Sequence, residues 1–174
     1  METPRRYLEA ELGKTSIKAE DVEKIYTTRK GLYLHGPVGT GKTYIAYAIK
    51  HHLENHPTNA KRVRFHNATE LLASIRHDIE ADPYSRTHIV DKILESRLLL
   101  IIDDLGAEKP TEWVAETLYR IINHRYENEI PVIVTSNLSL DQLAQRIGDR
   151  TASRLGELCE VVELTGEDRR LQSK

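Results

Sequence analysis

Gly36-Pro37-Val38-Gly39-Thr40-Gly41-Lys42-Thr43 is the stretch from which the rest of this chain is read. Apolar Leu32-Tyr33-Leu34 precedes it, and Ile45, Ile49 and Leu53 follow at helical spacing. It is therefore G-x-x-x-x-G-K-T set between a strand and a helix, the context that a P-loop requires. Its glycines let the backbone wrap an anion, and the N–H groups and helix dipole point at that anion. Lys42 reaches for the β- and γ-phosphates, and the Thr43 hydroxyl suits Mg²⁺. The whole run is read as a site for ATP with Mg²⁺, since a bare glycine-rich turn has no use for Lys-Thr in that register.

Outward from this loop, short β-type runs alternate with longer helical ones, which is the pattern of a parallel sheet covered by helices. The class is α/β. Strands are expected at residues 32–35, 63–67, 98–103, 132–136 and 160–164, with the third and fourth, apolar on both faces, in the middle of the sheet. Val114, Leu118, Ile121 and Ile122 trace the stripe of a helix over about 111–127. Asn67-x-x-Glu70 and Ser139-x-x-Gln142 have capping-box spacing, placing helix starts after two strands. Residues 81–96, with Pro83, read as an irregular insertion leading into a helix. The polar first 30 residues read as an N-terminal linker segment, helical around 19–30, and residues 31–174 as the ATPase domain.

The chain has 174 residues, the size of one domain, with 39% hydrophobic and 30% charged residues, as an ordered globular protein has. A net charge of −2 argues against a blanket phosphate-binding surface but leaves room for local basic clusters. Cys159 is the single cysteine, which excludes an internal disulfide and a thiolate zinc site and points to a reducing, cytoplasmic setting. No apolar stretch approaches the ~20 residues of a membrane span, and the first residues lack an apolar signal core.

A second anchor is Leu98-Leu99-Leu100-Ile101-Ile102-Asp103-Asp104, an apolar strand ending in two carboxylates. With a P-loop present this reads as a Walker B element, in which Asp103 holds Mg²⁺ and Asp104 orients or deprotonates the attacking water. Alone, an acidic strand end is equally a cap or turn. Val132-Ile133-Val134-Thr135-Ser136-Asn137 is a further buried strand with a polar end. Asn137 is expected to hold the lytic water or sense the γ-phosphate, the bland alternative being a capping turn before Ser139.

Taken together, 36-GPVGTGKT-43, 98-LLLIIDDLGAEK-109, 135-TSN-137, 153-SRLGE-157 and 166-GEDRR-170 resemble the DnaC/DnaI-type replicative helicase loaders and their IstB-like relatives, in the initiator branch of AAA+ ATPases. The resemblance runs from about Tyr7 to Arg170. It implies a three-layer AAA+ fold with a central five-stranded parallel sheet. It further implies ATP hydrolysis, self-association on ATP, and two partners: single-stranded DNA and a hexameric replicative helicase. Asn137 matches the sensor 1 position, Arg154 the arginine finger that reaches a neighbouring subunit's ATP, and Arg170 sensor 2. Chemistry agrees for Arg154, because a permanently charged guanidinium stabilises phosphate charge across an interface. The bland alternative is a salt bridge to Glu157 or Glu160.

The resemblance maps the family's DNA path to a helix pair over about 69–88, where Arg76, His77, Arg86 and His88 would supply phosphate contacts. Acidic residues at 70, 78, 80 and 82 leave a solvated mixed face open as the alternative. Two features depart from the pattern. Asp104 stands where such sites place Glu, which implies that hydrolysis is slow or that it needs the partner and DNA for alignment. Some 30 residues precede the P-loop strand where a loader carries a helicase-binding region, so the chain is an excised ATPase domain or docks by another surface. The alternatives to a helicase loader are an IstB-like ATPase serving a transposase, a P-loop small-molecule kinase, and a module that binds ATP without turnover.

Overall fold

The apolar runs on either side of the P-loop form five strands: β1 Gly31–His35, β2 Val63–Asn67, β3 Leu99–Leu105, β4 Val132–Ser136 and β5 Cys159–Glu163. The structure is a computed structural model and describes residues 3–56, 63–85 and 88–166. The strands make one sheet in the order β2-β3-β4-β1-β5, with every pair parallel. β3 and β4 lie inside it, as their two-sided apolar sequence requires.

Parallel neighbours need crossovers, and helices supply them: α1 Ala19–Thr28, α2 Lys42–Glu54, α3 Ala68–Ala81, α4 Ile89–Leu94, α5 Glu112–Glu127, α6 Leu140–Ile147 and α7 Asp149–Leu158. Successive strand residues face opposite sides, and the core divides accordingly. Leu32, Leu34, Leu99, Ile101 and Ile133 pack with α1 and α2. Tyr33, Leu100, Ile102, Val132 and Val134 pack with α3 to α7. The result is the α/β three-layer AAA+ fold. The Asn67 side chain accepts from the N–H groups of Thr69 and Glu70 to start α3, and Ser139 and Gln142 form both capping bonds at α6.

Two stretches differ from the sequence expectation. β3 continues past Asp103 to Leu105, because its last residues keep pairing with β4 beyond an irregularity. After β2 the 14-residue α3 gives way around Pro83 to an irregular stretch that leads into the short α4, as the sequence implies. Asp78 joins them, accepting from the Ile89 N–H at 2.7 Å and meeting His88 Nδ1 at 3.2 Å. The segment before β1, expected to be a linker, buries Ala10, Ile17, Val22 and Ile25 in the same core as α2. Among the described residues no helix is long and apolar enough to cross a membrane.

Candidate nucleotide site

The P-loop leaves β1 through Gly36, at φ 146°, where a Cβ would stand 2.1 Å from the Leu164 carbonyl oxygen. Only glycine fits this exit. Thr40 Oγ1 donates to the Pro37 carbonyl at 2.9 Å, closing the loop on itself. Gly41, left-handed at φ 95°, then turns the chain into α2, whose first residue is Lys42. The Lys42 ammonium is buried and donates to the carbonyls of Gly36 and Pro37, both at 2.7 Å.

The two carboxylates of β3 meet this loop in different ways. Asp103 follows Leu99 and Ile101 on the α2 face, where it accepts from Thr43 Oγ1 at 3.3 Å and Thr135 Oγ1 at 2.7 Å. Pairing runs from Ile102↔Val134 to Leu105↔Ser136, so β3 carries one extra residue there. Asp104 sits in that bulge at φ 60°. A bulge re-aims side chains that a regular strand would send to opposite faces, and here it brings Asp104 to the P-loop cavity. The Asp104 N–H donates to Thr135 Oγ1 at 2.8 Å, and its Oδ1 accepts from Asn137 Nδ2 at 3.2 Å. Thr135 thus ties both carboxylates to β4.

Burial is the main cause that raises the pKa of Asp103; the charge of Asp104 adds to it, while the bonds from Thr135 and Thr43 oppose it. Glu108, in the loop after β3, is also raised by burial. Its two oxygens accept from the Gly106 N–H at 3.1 and 3.0 Å, and its carbonyl accepts from Arg146 Nη2 at 2.8 Å. This closes the loop behind Asp104. A cavity of about 630 Å³ is lined by Lys42, Thr43, Asp104, Thr135 and Asn137 among others.

The profile of the IstB-like ATP binding proteins matches residues 16–174, which takes in the strand, the loop and both carboxylates. The chain belongs to that family. It is 30% identical to the replicative helicase loader DnaI of Bacillus subtilis over 161 residues, 81% of this chain and 48% of that protein. The chain spans about half the length of the curated relatives it matches. Among solved structures it superposes on the DnaC helicase loader with a TM-score of 0.77 at 26% identity, covering 93% of this chain and 100% of that one. The replication initiator DnaA bound to AMPPCP and single-stranded DNA gives a TM-score of 0.74 at 19% identity, covering 92% of this chain and 51% of that one, a likeness of fold. The protein is thus an IstB-like ATP-binding domain of AAA+ fold, homologous to the DnaI and DnaC helicase loaders.

Of the other expected residues of this IstB-like domain, Arg154, Arg76, His77 and His88 lie apart from the cavity. Arg154, on α7, makes no ion pair with Glu157 or Glu160 among the described residues. Its guanidinium carbon stands 4.8 Å from the Tyr119 ring centroid and 5.6 Å from that of Tyr126. Tyr126 is steadied in turn by donating to Glu157 Oε2 at 2.8 Å. Arg76 and His77 are exposed on α3, and the Arg76 guanidinium carbon lies 4.5 Å from the Trp113 ring centroid. His88 is engaged by Asp78, so it serves the α3–α4 junction. Arg86 and Arg170 lie outside the described residues. Thr135, Glu108, Arg6 and Lys14 were not singled out from sequence. Thr135 stood in the Thr-Ser-Asn run and Glu108 in Gly-Ala-Glu-Lys, whereas nothing local marks Arg6 or Lys14.

Proposed function

We propose that this domain hydrolyses Mg²⁺–ATP, assembles with copies of itself when ATP is bound, and in that form engages single-stranded DNA to help place a ring-shaped replicative helicase. The supporting observation is the chain Thr43–Asp103–Thr135–Asp104–Asn137 beside the P-loop. The N–H groups of the loop wrap the phosphates, and Lys42 exchanges the carbonyls of Gly36 and Pro37 for phosphate oxygens. Thr43 and Asp103 would hold Mg²⁺, being a hydroxyl and a carboxylate 3.3 Å apart. Among the described residues no three His, Cys, Asp or Glu side chains form a metal site of their own. That suits a cation which completes its shell with phosphate oxygens and water. Held there, the ion would supply charge neutralisation for the phosphates that Lys42 and the loop N–H groups bind.

Asp104, fixed by Asn137 and by its own bonded N–H, orients the attacking water and draws off its proton. It is one methylene shorter than glutamate, so turnover is slow until DNA or a neighbouring chain draws the water in. Arg154 acts in trans on the neighbour's phosphates. The relatives named as helicase loaders support the choice of partner.

Calorimetry and a phosphate-release assay test the site: Lys42→Ala should weaken ATP binding at least about tenfold while the fold survives. Equal affinity in the variant would remove Lys42 from the site. Transfer of phosphate to a small acceptor instead of water would favour a kinase. The partner is tested by ATP-dependent co-sedimentation with a purified hexameric helicase, and capture of a transposase in its place would redirect the reading.

A further inference from the structure

The segment before α1 contributes part of the wall of the nucleotide cavity. Arg6, Tyr7 and Lys14 line it together with Lys42, Thr43 and Asp104. This segment is fastened along the outer face of α2. Tyr7 stacks on Tyr47 at 4.7 Å with 16° between planes, and Tyr47 stacks on buried Phe65 at 4.2 Å. The Tyr44 hydroxyl donates to the Glu9 carbonyl and accepts from the Glu11 N–H, both at 3.3 Å. His51 Nδ1 meets the Ala10 carbonyl at 3.1 Å, and the Ala10 side chain is buried.

Two cations ride on this strap. The Arg6 guanidinium carbon lies 4.7 Å from the Tyr7 ring centroid, at the outer end of a three-ring stack rooted in the core. No carboxylate of the described residues is in salt-bridge reach of it. Among the described residues Lys14 pairs only with Glu11, at 3.4 Å, both side chains well exposed, and such a pair holds its lysine weakly. A cation set in place by stacking loses less freedom when a ligand arrives than one on an unfastened chain.

We infer that Arg6 and Lys14 are phosphate-binding residues, a second cationic wall of the P-loop cavity that takes hold of the nucleotide's phosphate chain in cis. The inference rests on the ATP reading of this site. It gives the segment before α1 a ligand-binding task in addition to its packing. Magnesium-bound triphosphate keeps net negative charge, and among the described residues the P-loop and β3 bring one cation, Lys42, and one anion, Asp104, to the cavity lining. Arg6 and Lys14 tip that balance to positive.

The test is a Mg²⁺–ATP titration of the full chain by calorimetry, with Arg6→Gln, Lys14→Gln, the double variant and Arg6→Lys. Each neutral variant should weaken binding about three- to tenfold, with the double weaker still. Arg6→Lys should recover most of the loss, and the differences should shrink as salt is raised. Without nucleotide the thermal midpoints should match the wild type, and the rise on adding ATP should be smaller in each neutral variant. The inference is overturned if both neutral variants bind as tightly as the wild type. It is also overturned if Arg6→Gln lowers the nucleotide-free midpoint in step with affinity, which would make Arg6 a lid on the aromatic stack. A wild type that binds no ATP would instead remove the nucleotide reading itself, and this inference with it.

Discussion

Asp103 is an anion in surroundings that resist one, since burial and the Asp104 charge outweigh the two hydroxyl donors and raise its pKa. The folded state therefore takes up this proton at a higher pH than the unfolded chain does. Ionised Asp103 costs stability at neutral pH, and the cost fades as pH falls through the carboxylate range. Asp103→Asn should accordingly raise the thermal midpoint measured without metal or nucleotide by roughly 2–4 °C, about 1 kcal/mol, while abolishing Mg²⁺-dependent turnover. A lowered midpoint would mean that the Thr43 and Thr135 bonds dominate. Arg125 presents the opposite case. It is 1% exposed, and burial holds its pKa down at about 10. It donates to the carbonyls of Leu98 and Pro131, both at 3.1 Å, and of Ser96 at 3.5 Å, where β3 and β4 begin. Arg125→Met keeps the volume but strands those carbonyls, so chemical denaturation should show a loss of ~2–4 kcal/mol. ATP affinity of the folded fraction should not change.

Among the elements, β1 and β4 leave no room for a side chain at Gly31, where a Cβ would fall 1.7 Å from the Val132 carbonyl oxygen. Gly31→Ala must push the two strands apart just ahead of the P-loop. A loss of about 3 kcal/mol in denaturant unfolding is expected, together with weaker ATP binding. β3 and β4 were readable because central parallel strands are apolar on both faces, and α6 because its cap is written in Ser139 and Gln142. The P-loop, Asp103, Asp104 and Asn137 were readable because each is a local motif beside a strand end. The bulge at Asp104 was not, since it exists only through the pairing of β3 with β4. The strap before α1 was hidden by its polar composition: Ala10 and Ile17 are too sparse to mark a core face until α2 is beside them. Thr135 gains its role only when β4 lies against β3.

At the level of the whole molecule, Arg154 stands on α7 against Tyr119 and Tyr126, away from its own chain's nucleotide cavity. Arg154→Ala should leave single-chain ATP binding nearly intact yet prevent assembly. Sedimentation with a slowly hydrolysed ATP analogue and single-stranded DNA should shift the wild type to larger species and leave the variant behind. Equal assembly of both would reduce Arg154 to a residue of the α5–α7 contact, and no assembly of either would remove the self-associating step. The outer end of α5 bears on how such experiments are watched. Trp113 is the only indole in the sequence, and it carries the Arg76 guanidinium over its ring. A cation held at that distance perturbs the excited state of the ring, so a phosphate that draws Arg76 away alters the emission. Trp113 of α5 is therefore a built-in optical reporter for Arg76 of α3, and if the proposed single-stranded DNA reaches α3, its arrival should change the tryptophan fluorescence without any dye attached.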